Sequence, residues 1–360
     1  MTLRLATAGE SHGPALVAIL TGLPAGLVLD RDAIDADLRR RQEGYGRSPR
    51  QRIERDRVEV LAGLRHGRTL GTPLALVVRN VDHRNWTWGM SPWPPEGEPE
   101  GKGTKPVTLP RPGHADLAGV LKYGLDDVRD ALERASARHT AVHVAAGAVA
   151  KALLATIGIA VEGAPVDEEA LRARIDEARA ARDTAGGVVE VRARGVPPGL
   201  GSYAAKEDRL DARLAAAVMG IQAVKGVEVG EGFALAGKLG SEAHDEIRTD
   251  RRRETNRAGG IEAGVSNGEE IVVRAAMKPL PTLMKPLASV DLATGEPAQA
   301  LVERSDVAAV EALAVVAEAA VAWELARAAR EKFGGDAVGD FVAAWRAYLG
   351  RIAWAAAPGG

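Results

Sequence analysis

The most constraining feature of the sequence is a long apolar segment near its C-terminal end. Residues Val307–Ala329 consist mainly of Ala, Val and Leu, but Glu311, Glu318 and Glu324 interrupt them at near-helical spacing. A membrane span needs about 20 predominantly apolar residues with few or no charges, so three carboxylates argue against one. The pattern instead predicts an amphipathic helix, Val307–Lys332, that is buried in the protein core.

Helical and strand patterns alternate along the rest of the chain. Further helices are predicted at Arg31–Gln42, Ala137–Ile157, Asp167–Ala181, Lys206–Lys225 and Val338–Leu349. Strands, several of them with period-two alternation, are predicted at Leu3–Ala8, Ala15–Thr21, Arg57–Leu61, Leu74–Arg79, Val188–Arg194, Val229–Leu239 and Glu270–Met277. No segment has the composition of a convincing linker, so we expect one α+β domain that covers residues 1–360.

One stretch, at about residues 82–110, shows no periodicity at all. It is rich in Pro, Gly and Trp and is too long for a simple connection between two elements. We expect it to form a loop or lid, or else a disordered excursion. Its two flanks, Asp82-His83 and Arg111–Asp116, carry the histidine, arginine and carboxylate groups that could do chemistry there.

Composition limits the classes of protein that fit. The chain has 360 residues, of which 46% are hydrophobic, and this is enough for a substantial core. The formal net charge is only −2, which does not favour nucleic acid as a partner. The absence of Cys excludes disulfides and thiolate metal sites, and no pair of histidines has the spacing of a zinc site. Because the N-terminus also lacks the pattern of a secretory signal, we expect a cytoplasmic protein that binds neither nucleic acid, membrane nor metal.

Local charge therefore indicates a site, and the densest charge follows the turn Ala8–Pro14. This turn, Ala-Gly-Glu-Ser-His-Gly-Pro, presents His12 close to two glycines. Arginines crowd the following stretch at positions 39, 40, 41, 47, 50, 52, 55 and 57. A planar guanidinium pairs in a two-pronged way with carboxylate or phosphate. Histidine and arginines together predict a site that holds a small, multiply anionic molecule and moves protons around it.

Two plainer interpretations of residues 39–57 are open at this point. An arm for DNA or RNA would use the arginines, but acidic residues interrupt the run and only Tyr45 could stack on a base. Solvated charges on an amphipathic helix would account for part of the set. They do not explain the turn Gly44–Arg47, where glycine, tyrosine and arginine alternate.

Three further constellations combine charge with a fixed backbone. If Ser136 caps the helix that follows it, Arg134 and Arg138 converge on an anion site at the helix N-terminus; otherwise they are solvated helix charges. The prolines within Lys278–Thr282 forbid regular structure after a strand, so this loop either presents side chains stiffly or simply ends the sheet. Asp306 precedes the apolar helix, where a helix cap is the plain alternative to a functional carboxylate.

Taken together, these segments resemble the chorismate synthase family over nearly the whole chain. Nine blocks occur in family order with preserved spacing: Ala8–Pro14; Arg39–Tyr45 with Gly46-Arg47; Gly67–Gly71; Arg111–Asp116; Arg134–Thr140 with Val144–Lys151; Gly240–Asp245; Gly264–Gly268; Lys278–Thr282; and Arg304–Asp306. The resemblance implies a layered β-α-β sandwich that assembles as a homotetramer. It also implies the last step of the shikimate pathway, in which 5-enolpyruvylshikimate 3-phosphate loses phosphate and its C6 proton to give chorismate.

By this resemblance, reduced FMN is required although no net redox change occurs. His12 would donate a proton to the leaving phosphate, His114 would lie near the flavin ring, and Asp306 would serve as the base for the C6 proton through the flavin. Ser11 and Ser136 would take part in the proton relay. NADPH is implied as a reductant, and a separate flavin reductase is the alternative source of reduced flavin.

The same resemblance assigns two sets of binding residues. The residues expected around the substrate are Arg41, Arg47, Arg50, Arg111, Arg138 and Arg304, and Arg41 and Arg47 are also at the positions linked to NADPH. The residues expected to contact FMN are Arg134, Ala135, Ser136, Gln222, Ala223, Ala263, Lys278, Pro279, Leu280, Pro281, Thr282 and Arg304. Arginine is in excess because the implied substrate carries two carboxylates and a phosphate.

The chain departs from the family at three positions. Ala263 stands where the family commonly has Gly, and His139 and His143 stand where Glu and Arg are common, so a capping box is lost. Histidines outside the motifs are interpreted as structural: His66, His83, His139, His143 and His244. The alternative function is a non-catalytic protein that binds a phosphorylated or polycarboxylate metabolite, which the arginines alone would permit.

Overall fold

The computed structural model describes residues 2–47, 55–302 and 306–353. The helices in these ranges are α1 (Arg31–Gln42), α2 (Asp116–Tyr123), α3 (Val128–Ala135), α4 (Thr140–Ala155), α5 (Glu168–Ala180), α6 (Leu210–Met219), α7 (Gly240–Ala243), α8 (Val310–Phe333) and α9 (Val338–Ile352). The strands are β1 (Arg4–Ala8), β2 (Ala15–Thr21), β3 (Val58–Ala62), β4 (Leu64–Arg65), β5 (Arg68–Thr69), β6 (Leu74–Arg79), β7 (Ala160–Pro165), β8 (Gly187–Arg194), β9 (Val224–Val229), β10 (Ile261–Glu262), β11 (Val265–Ser266), β12 (Ile271–Met277), β13 (Ala288–Val290) and β14 (Pro297–Gln299).

Two four-stranded antiparallel sheets dominate the architecture. The first has the strand order β1-β2-β6-β3 and the second has the order β7-β8-β12-β9. In the second sheet, β12 pairs with β8 from Ile271 opposite Ala193 to Met277 opposite Gly187. Buried and more exposed residues alternate along β2 and β8. One face of each sheet is therefore packed inward, as is usual for antiparallel sheets with a single covered face.

Helices α4 and α8 form the layer between the sheets. Helix α4 packs on β1, β2 and β6, whereas α8 packs on β7, β8 and β12, and the two helices pack on each other. The order of layers is sheet, helices, sheet, so the predicted α+β class and layered β-α-β sandwich are confirmed. In the described part of the chain, no helix has both the length and the apolarity needed to cross a membrane.

Small residues allow α4 and α8 to approach closely. A Cβ atom added to Gly147 of α4 would lie 2.3 Å from the Cβ of Ala319 in α8, and Gly163 of β7 has a similar relation to Ala314 of α8, with 2.5 Å to its carbonyl oxygen. Both distances are far below van der Waals contact. The alanine-rich composition of the two helices is therefore a packing requirement at these positions.

The carboxylates that interrupt the apolar segment have specific partners. Glu318, which is buried, accepts hydrogen bonds from Arg40 of α1 (2.8 Å), from Lys151 of α4 (2.6 Å) and from the backbone N–H of Gly163 (3.0 Å). Burial raises the pKa of Glu318, but the bonds from Arg40 and Lys151 outweigh it and lower that pKa. A buried charge is tolerated when it is paired and hydrogen-bonded in this way.

Most predicted elements agree with the structure within a few residues, but two predictions are wrong. The predicted strand Val229–Leu239 is instead the end of β9 followed by a 3₁₀-helix, Gly232–Gly237. Gly230 and Gly232, with φ of 60° and 51°, turn the chain out of the sheet there. The predicted helix Lys206–Lys225 ends early, as α6 at Met219, because the following residues enter β9.

The region between Val81 and Ala135 differs most from the sequence-based view. Helices α2 and α3 were not predicted, whereas the aperiodic stretch at 82–110 does lack regular structure after a short 3₁₀-helix, Val81–Asn85. Trp86 of this stretch is buried, and its indole N–H donates to Asp82 at 3.0 Å. A role for the stretch as a lid, and a single domain over the whole chain, stay predictions.

Replacing Gly147 by Ala tests the close crossing of α4 and α8. Alanine favours a helix over glycine, yet the added methyl group must push the helices apart, and overpacking of this kind costs about 1–3 kcal/mol. We expect a lower free energy of unfolding in a urea titration. Gly339→Ala in α9, where an added Cβ meets nothing within 4 Å, is the matched control and should be neutral or stabilising. Equal stability of the two variants would contradict the packing argument.

Candidate active site

The turn between β1 and β2 presents His12 in a fixed geometry. The Nδ1 atom of His12 lies 2.7 Å from Oε1 of Glu133, and its backbone N–H donates to Oε2 of Glu133 at 2.8 Å. The imidazole ring stacks on Trp86 with 4.0 Å between centroids. The turn is thus held from two sides, by α3 and by the aperiodic stretch.

Asn80 connects this turn to an arginine. Its Nδ2 donates to the carbonyl oxygens of Glu10 (3.1 Å) and Gly13 (2.7 Å), and its Oδ1 accepts from Nε of Arg138 at 2.8 Å. The turn also requires glycine, since a Cβ on Gly9, whose φ is 114°, would lie 2.5 Å from the carbonyl oxygen of Ala15. Backbone and side-chain contacts therefore place the histidine turn next to Arg138.

Ser136 lies at the junction of α3 and α4. Its Oγ is 3.2 Å from Oγ of Ser11 and 3.3 Å from the backbone nitrogen of Arg138. It caps a short 3₁₀-helix, Ala137–His139, and α4 itself begins only at Thr140. Arg134 donates to the carbonyl oxygens of Thr7 and Gly9. The structure thus brings the two predicted relay serines together, with the cap one short helix ahead of α4.

A second cluster of arginines surrounds Asp56, which is buried. Arg41 donates to Asp56 at 2.6 Å, and Arg138 donates to both of its oxygens at 2.7 Å. Burial lowers the pKa of Arg41, although the nearby Asp56 opposes this effect. The Nε atoms of Arg41 and Arg47 are buried and find no hydrogen-bond partner among the residues that the structure describes. Buried donors of this kind are unfavourable unless a ligand satisfies them.

Asp306 forms an ion pair with Arg47, in which Nη1 and Oδ2 are 2.8 Å apart. Burial lowers the pKa of Arg47, and Asp306 raises it in part. Helix α8 begins at Val310, and its cap residue is Ala309. The interpretation of Asp306 as a helix cap is therefore wrong, because the helix starts further along the chain and the carboxylate contacts Arg47 instead.

His114 shares a buried carboxylate with Arg111. Asp116, the first residue of α2, accepts from Nε of Arg111 at 2.8 Å and from its backbone N–H at 2.9 Å, and it also contacts Nδ1 of His114. Burial raises the pKa of Asp116, but the bonds from His114 and Arg111 prevail and hold that pKa well below its usual range. Asp116 fixes the orientation of both side chains.

The predicted cofactor residues lie on neighbouring segments. The backbone N–H of Lys278 donates to the carbonyl oxygen of Ala223 at 3.0 Å, and its Nζ donates to the carbonyl oxygen of Gly113. Nε2 of Gln222 lies 3.0 Å from Nδ1 of His139. Segments 113–116, 222–223 and 278–282, far apart in sequence, therefore meet.

Ala263 has a φ of 50° in the turn between β10 and β11. This left-handed conformation disfavours a side chain by about 1–2 kcal/mol, which is the physical reason why glycine suits the position. Two other predicted residues, Arg50 and Arg304, lie outside the described residues.

Several residues of the site were not assigned a role from the sequence. Asp56 was interpreted as an interruption of the arginine run, Asp116 belonged to a recognised motif without a function of its own, and Glu133 directly precedes such a motif. Asn80 and Trp86 carried no signal, because nothing in a sequence shows which loop will close on a turn. The carboxylates could have been found from their position, since each lies within or beside a motif that is rich in arginine and histidine.

Comparison with known proteins agrees with this geometry. The sequence model of the family described as chorismate synthase matches residues 3–329. The chain is 53% identical to the chorismate synthase of Anaeromyxobacter sp. (strain K), over 98% of this chain and all of that one, and 52% identical to that of Rubrobacter xylanophilus, over 98% of each. A solved structure titled "Crystal Structure of Chorismate Synthase" superposes with a TM-score of 0.77 at 36% identity, over 98% of both chains.

The chain therefore belongs to the chorismate synthase family. It is an enzyme with the function of that family, in the shikimate pathway of aromatic amino acid biosynthesis. The alternative of a non-catalytic metabolite-binding protein is not favoured.

The partly buried His143 provides a test of the site's electrostatics. Burial, with the nearby His139 and Arg134, lowers the pKa of His143 to about 4, so the folded protein keeps it neutral. The unfolded chain binds this proton near pH 6.5, so the stability that His143 contributes is present above that pH and is lost as the pH falls toward 4.

In urea titrations, the free energy of unfolding of the wild type should be lower at pH 5 than at pH 7. In His143→Gln this difference between the two pH values should be smaller by about 1–3 kcal/mol, because a shift of one pKa unit corresponds to 1.36 kcal/mol. His244→Gln, at an exposed position, is the matched control and should leave the pH dependence as it is. An unchanged dependence in His143→Gln would contradict the argument.

Proposed function

We propose that the chain catalyses the anti 1,4-elimination of phosphate and of the C6 proton from 5-enolpyruvylshikimate 3-phosphate, and so acts as a carbon–oxygen lyase that forms chorismate. The observation that carries this proposal is the pair of Arg41 and Arg47, whose buried Nε donors have no partner among the described residues. A substrate with two carboxylates and a phosphate offers acceptors for such donors. Asp56, Arg138 and Asn80 link Arg41 to the histidine turn.

Two cations at predicted cofactor positions fit an anionic cofactor such as FMN. Lys278 donates to a backbone carbonyl oxygen, and Arg134 donates to backbone carbonyl oxygens and a hydroxyl. Within the described ranges, neither forms an ion pair with a carboxylate, so their charge is left for a ligand. They would hold FMN together with Ala135, Ser136, Gln222, Ala223, Ala263, Pro279, Leu280, Pro281, Thr282 and Arg304. When bound, reduced FMN would donate an electron transiently to the reaction, with no net redox change.

Proton transfer falls to three side chains of the chain itself. His12 gives a proton to the leaving phosphate, and Asp306 accepts the proton from C6. Asp116 accepts the hydrogen on Nδ1 of His114, so this histidine gains or gives up a proton through Nε2. Ser11 and Ser136, whose hydroxyl oxygens are 3.2 Å apart, extend the path for protons. Positioned groups of this kind contribute about 10²–10⁴-fold each.

Arg47 has two duties in this scheme. It forms an ion pair with Asp306. An anionic substrate competes for the same guanidinium, which weakens this ion pair and favours uptake of a proton by the carboxylate. The remaining substrate contacts are proposed for Arg41, Arg50, Arg111, Arg138 and Arg304, with NADPH at Arg41 and Arg47 as a source of reducing equivalents. Assembly as a homotetramer in the cytoplasm is part of the same proposal.

Phosphate release tests the reaction directly. Purified protein under anaerobic conditions should release inorganic phosphate from 5-enolpyruvylshikimate 3-phosphate when reduced FMN is present, and none with oxidised FMN. The reductant should not be consumed in proportion to the chorismate formed, because the elimination is redox-neutral. A parallel reaction with oxidised FMN and NADPH shows whether a separate reductase is needed. Equal turnover with oxidised FMN alone would exclude the mechanism.

Asp306→Asn tests the proposed base. Asparagine still accepts a hydrogen bond from Arg47, so the melting temperature and substrate binding should stay close to those of the wild type. It cannot take up a proton, so turnover should fall on the order of 10²–10⁴-fold. The isotope effect for substrate deuterated at C6 should rise as proton removal becomes limiting. Glu296→Gln, an exposed carboxylate in the turn between β13 and β14, is the control. Wild-type turnover in Asp306→Asn would remove this residue from the reaction.

A further inference from the structure

We propose that Glu133 is a positioning residue for His12, and that it holds the ring in one orientation and in the tautomer protonated at Nδ1. The inference rests on the proposed role of His12 as proton donor. It adds a carboxylate to that role, because the histidine would then act as one half of a carboxylate–histidine pair. The proton that His12 exchanges with the leaving phosphate would be carried at Nε2.

Glu133 binds His12 through both carboxylate oxygens. Oε2 accepts the backbone N–H of His12 at 2.8 Å, and Oε1 lies 2.7 Å from Nδ1 of the ring. An ionised carboxylate accepts hydrogen bonds and donates none. Nδ1 must therefore carry the hydrogen in this contact, and the tautomer is set by the carboxylate. The same arrangement orients the catalytic histidine in other enzymes whose base is held by a third group.

The surroundings of Glu133 make this contact rigid. Its side chain is 1% exposed, and Nη1 of Arg129, one helical turn earlier in α3, lies 3.9 Å from Oε1. The Arg129 guanidinium also lies over the Trp86 ring at 5.0 Å, and Trp86 in turn stacks on His12 with an interplanar angle of 23°. Trp86 and Glu133 thus hold the His12 ring at its face and at its edge, and Arg129 lies against both of them.

The backbone supports the same alignment. The N–H of Ser11 donates to the carbonyl oxygen of Glu133 at 3.2 Å, so the end of α3 contacts the turn at two consecutive residues. The carbonyl oxygen of His12 lies 2.9 Å from Nδ1 of His83 in the 3₁₀-helix. With its main chain fixed on both sides, His12 has little freedom except rotation of its ring, and Glu133 restricts that rotation.

A purely structural role for Glu133 is the alternative. In that case the carboxylate would only anchor the backbone N–H of His12, and the contact with the ring would be incidental. Glutamine separates the two roles because it has one acceptor oxygen. The backbone N–H can only donate, so in Glu133→Gln it takes the carbonyl oxygen, and the amide NH₂ group then faces Nδ1. A donor at this place favours the tautomer protonated at Nε2.

Imidazole ¹⁵N NMR of the ligand-free protein is the decisive measurement. In the wild type, Nδ1 of His12 should give a protonated signal, and in Glu133→Gln the pattern should invert, with the proton at Nε2. Backbone amide signals of the turn should persist in the variant, which shows that the fold is intact. His12→Ala identifies the signals. A wild type protonated at Nε2, or a variant that retains the wild-type tautomer, would overturn the proposal.

Two further variants keep the test sharp. Glu133→Asp retains both acceptor oxygens on a shorter side chain, so it should keep the wild-type tautomer and rescue part of the activity that Glu133→Gln loses. Asp130→Asn removes a carboxylate from the exposed side of the same helix and should leave both tautomer and activity unchanged. Loss of the tautomer in Asp130→Asn would mean that helix charge, and not the contact with His12, matters. No rescue by aspartate would contradict the role assigned to the two acceptor oxygens.

Turnover connects the positioning role to the reaction. In the phosphate-release assay with reduced FMN, kcat of Glu133→Gln should fall on the order of 10²-fold, the lower end of what a proton-transfer group supplies. The same change in a His12→Ala background should cost little, since no ring is left to orient. If the tautomer inverts but no protein releases phosphate, the proposed function fails and the positioning inference stands. An equal cost in both backgrounds would contradict the inference itself.

Discussion

The close crossing of α4 and α8 is the contact on which the rest of the structure depends. Each sheet packs on one of these helices, and the distance between the sheets is set where Gly147 meets Ala319. The same contact places the N-terminal ends of both helices beside the segment Arg41–Arg47. Thr140 contacts Arg41 there, and the backbone N–H of Val307 donates to Gly46. The packing of the core thereby brings together the residues of the proposed anion site.

Buried carboxylates organise that site. Asp56 holds Arg41 and Arg138, Asp116 holds Arg111 and His114, and Glu133 holds His12. A buried cation without a partner would be costly, and a buried acid alone would be equally so. Each carboxylate holds its cations or rings in one geometry, so the groups proposed to react do not need to be ordered during catalysis.

The sequence predicted most of the secondary structure and the motif residues that the site brings together. The amphipathic pattern of Val307–Ala329 was sufficient for α8, because charges at helical spacing distinguish a buried helix from a membrane span. Sequence patterns were not sufficient for β9, where two glycines end the strand. They also missed α2 and α3, which are short and marginal as isolated helices. The alternative interpretation of Asp306 as a helix cap failed for a related reason, since helix starts are the least certain part of a pattern.

What the sequence determined by itself was chemical: which side chains could hold anions and move protons, and which family pattern they follow. Nearest neighbours in space were decided by the tertiary structure alone. That Glu133 would reach His12 across 121 residues, or that Trp86 would stack on the same ring, depends on how α3 and an aperiodic loop pack against the turn between β1 and β2. Local patterns record propensity and periodicity, whereas long-range contacts arise from the packing of whole elements, and no local signal encodes them.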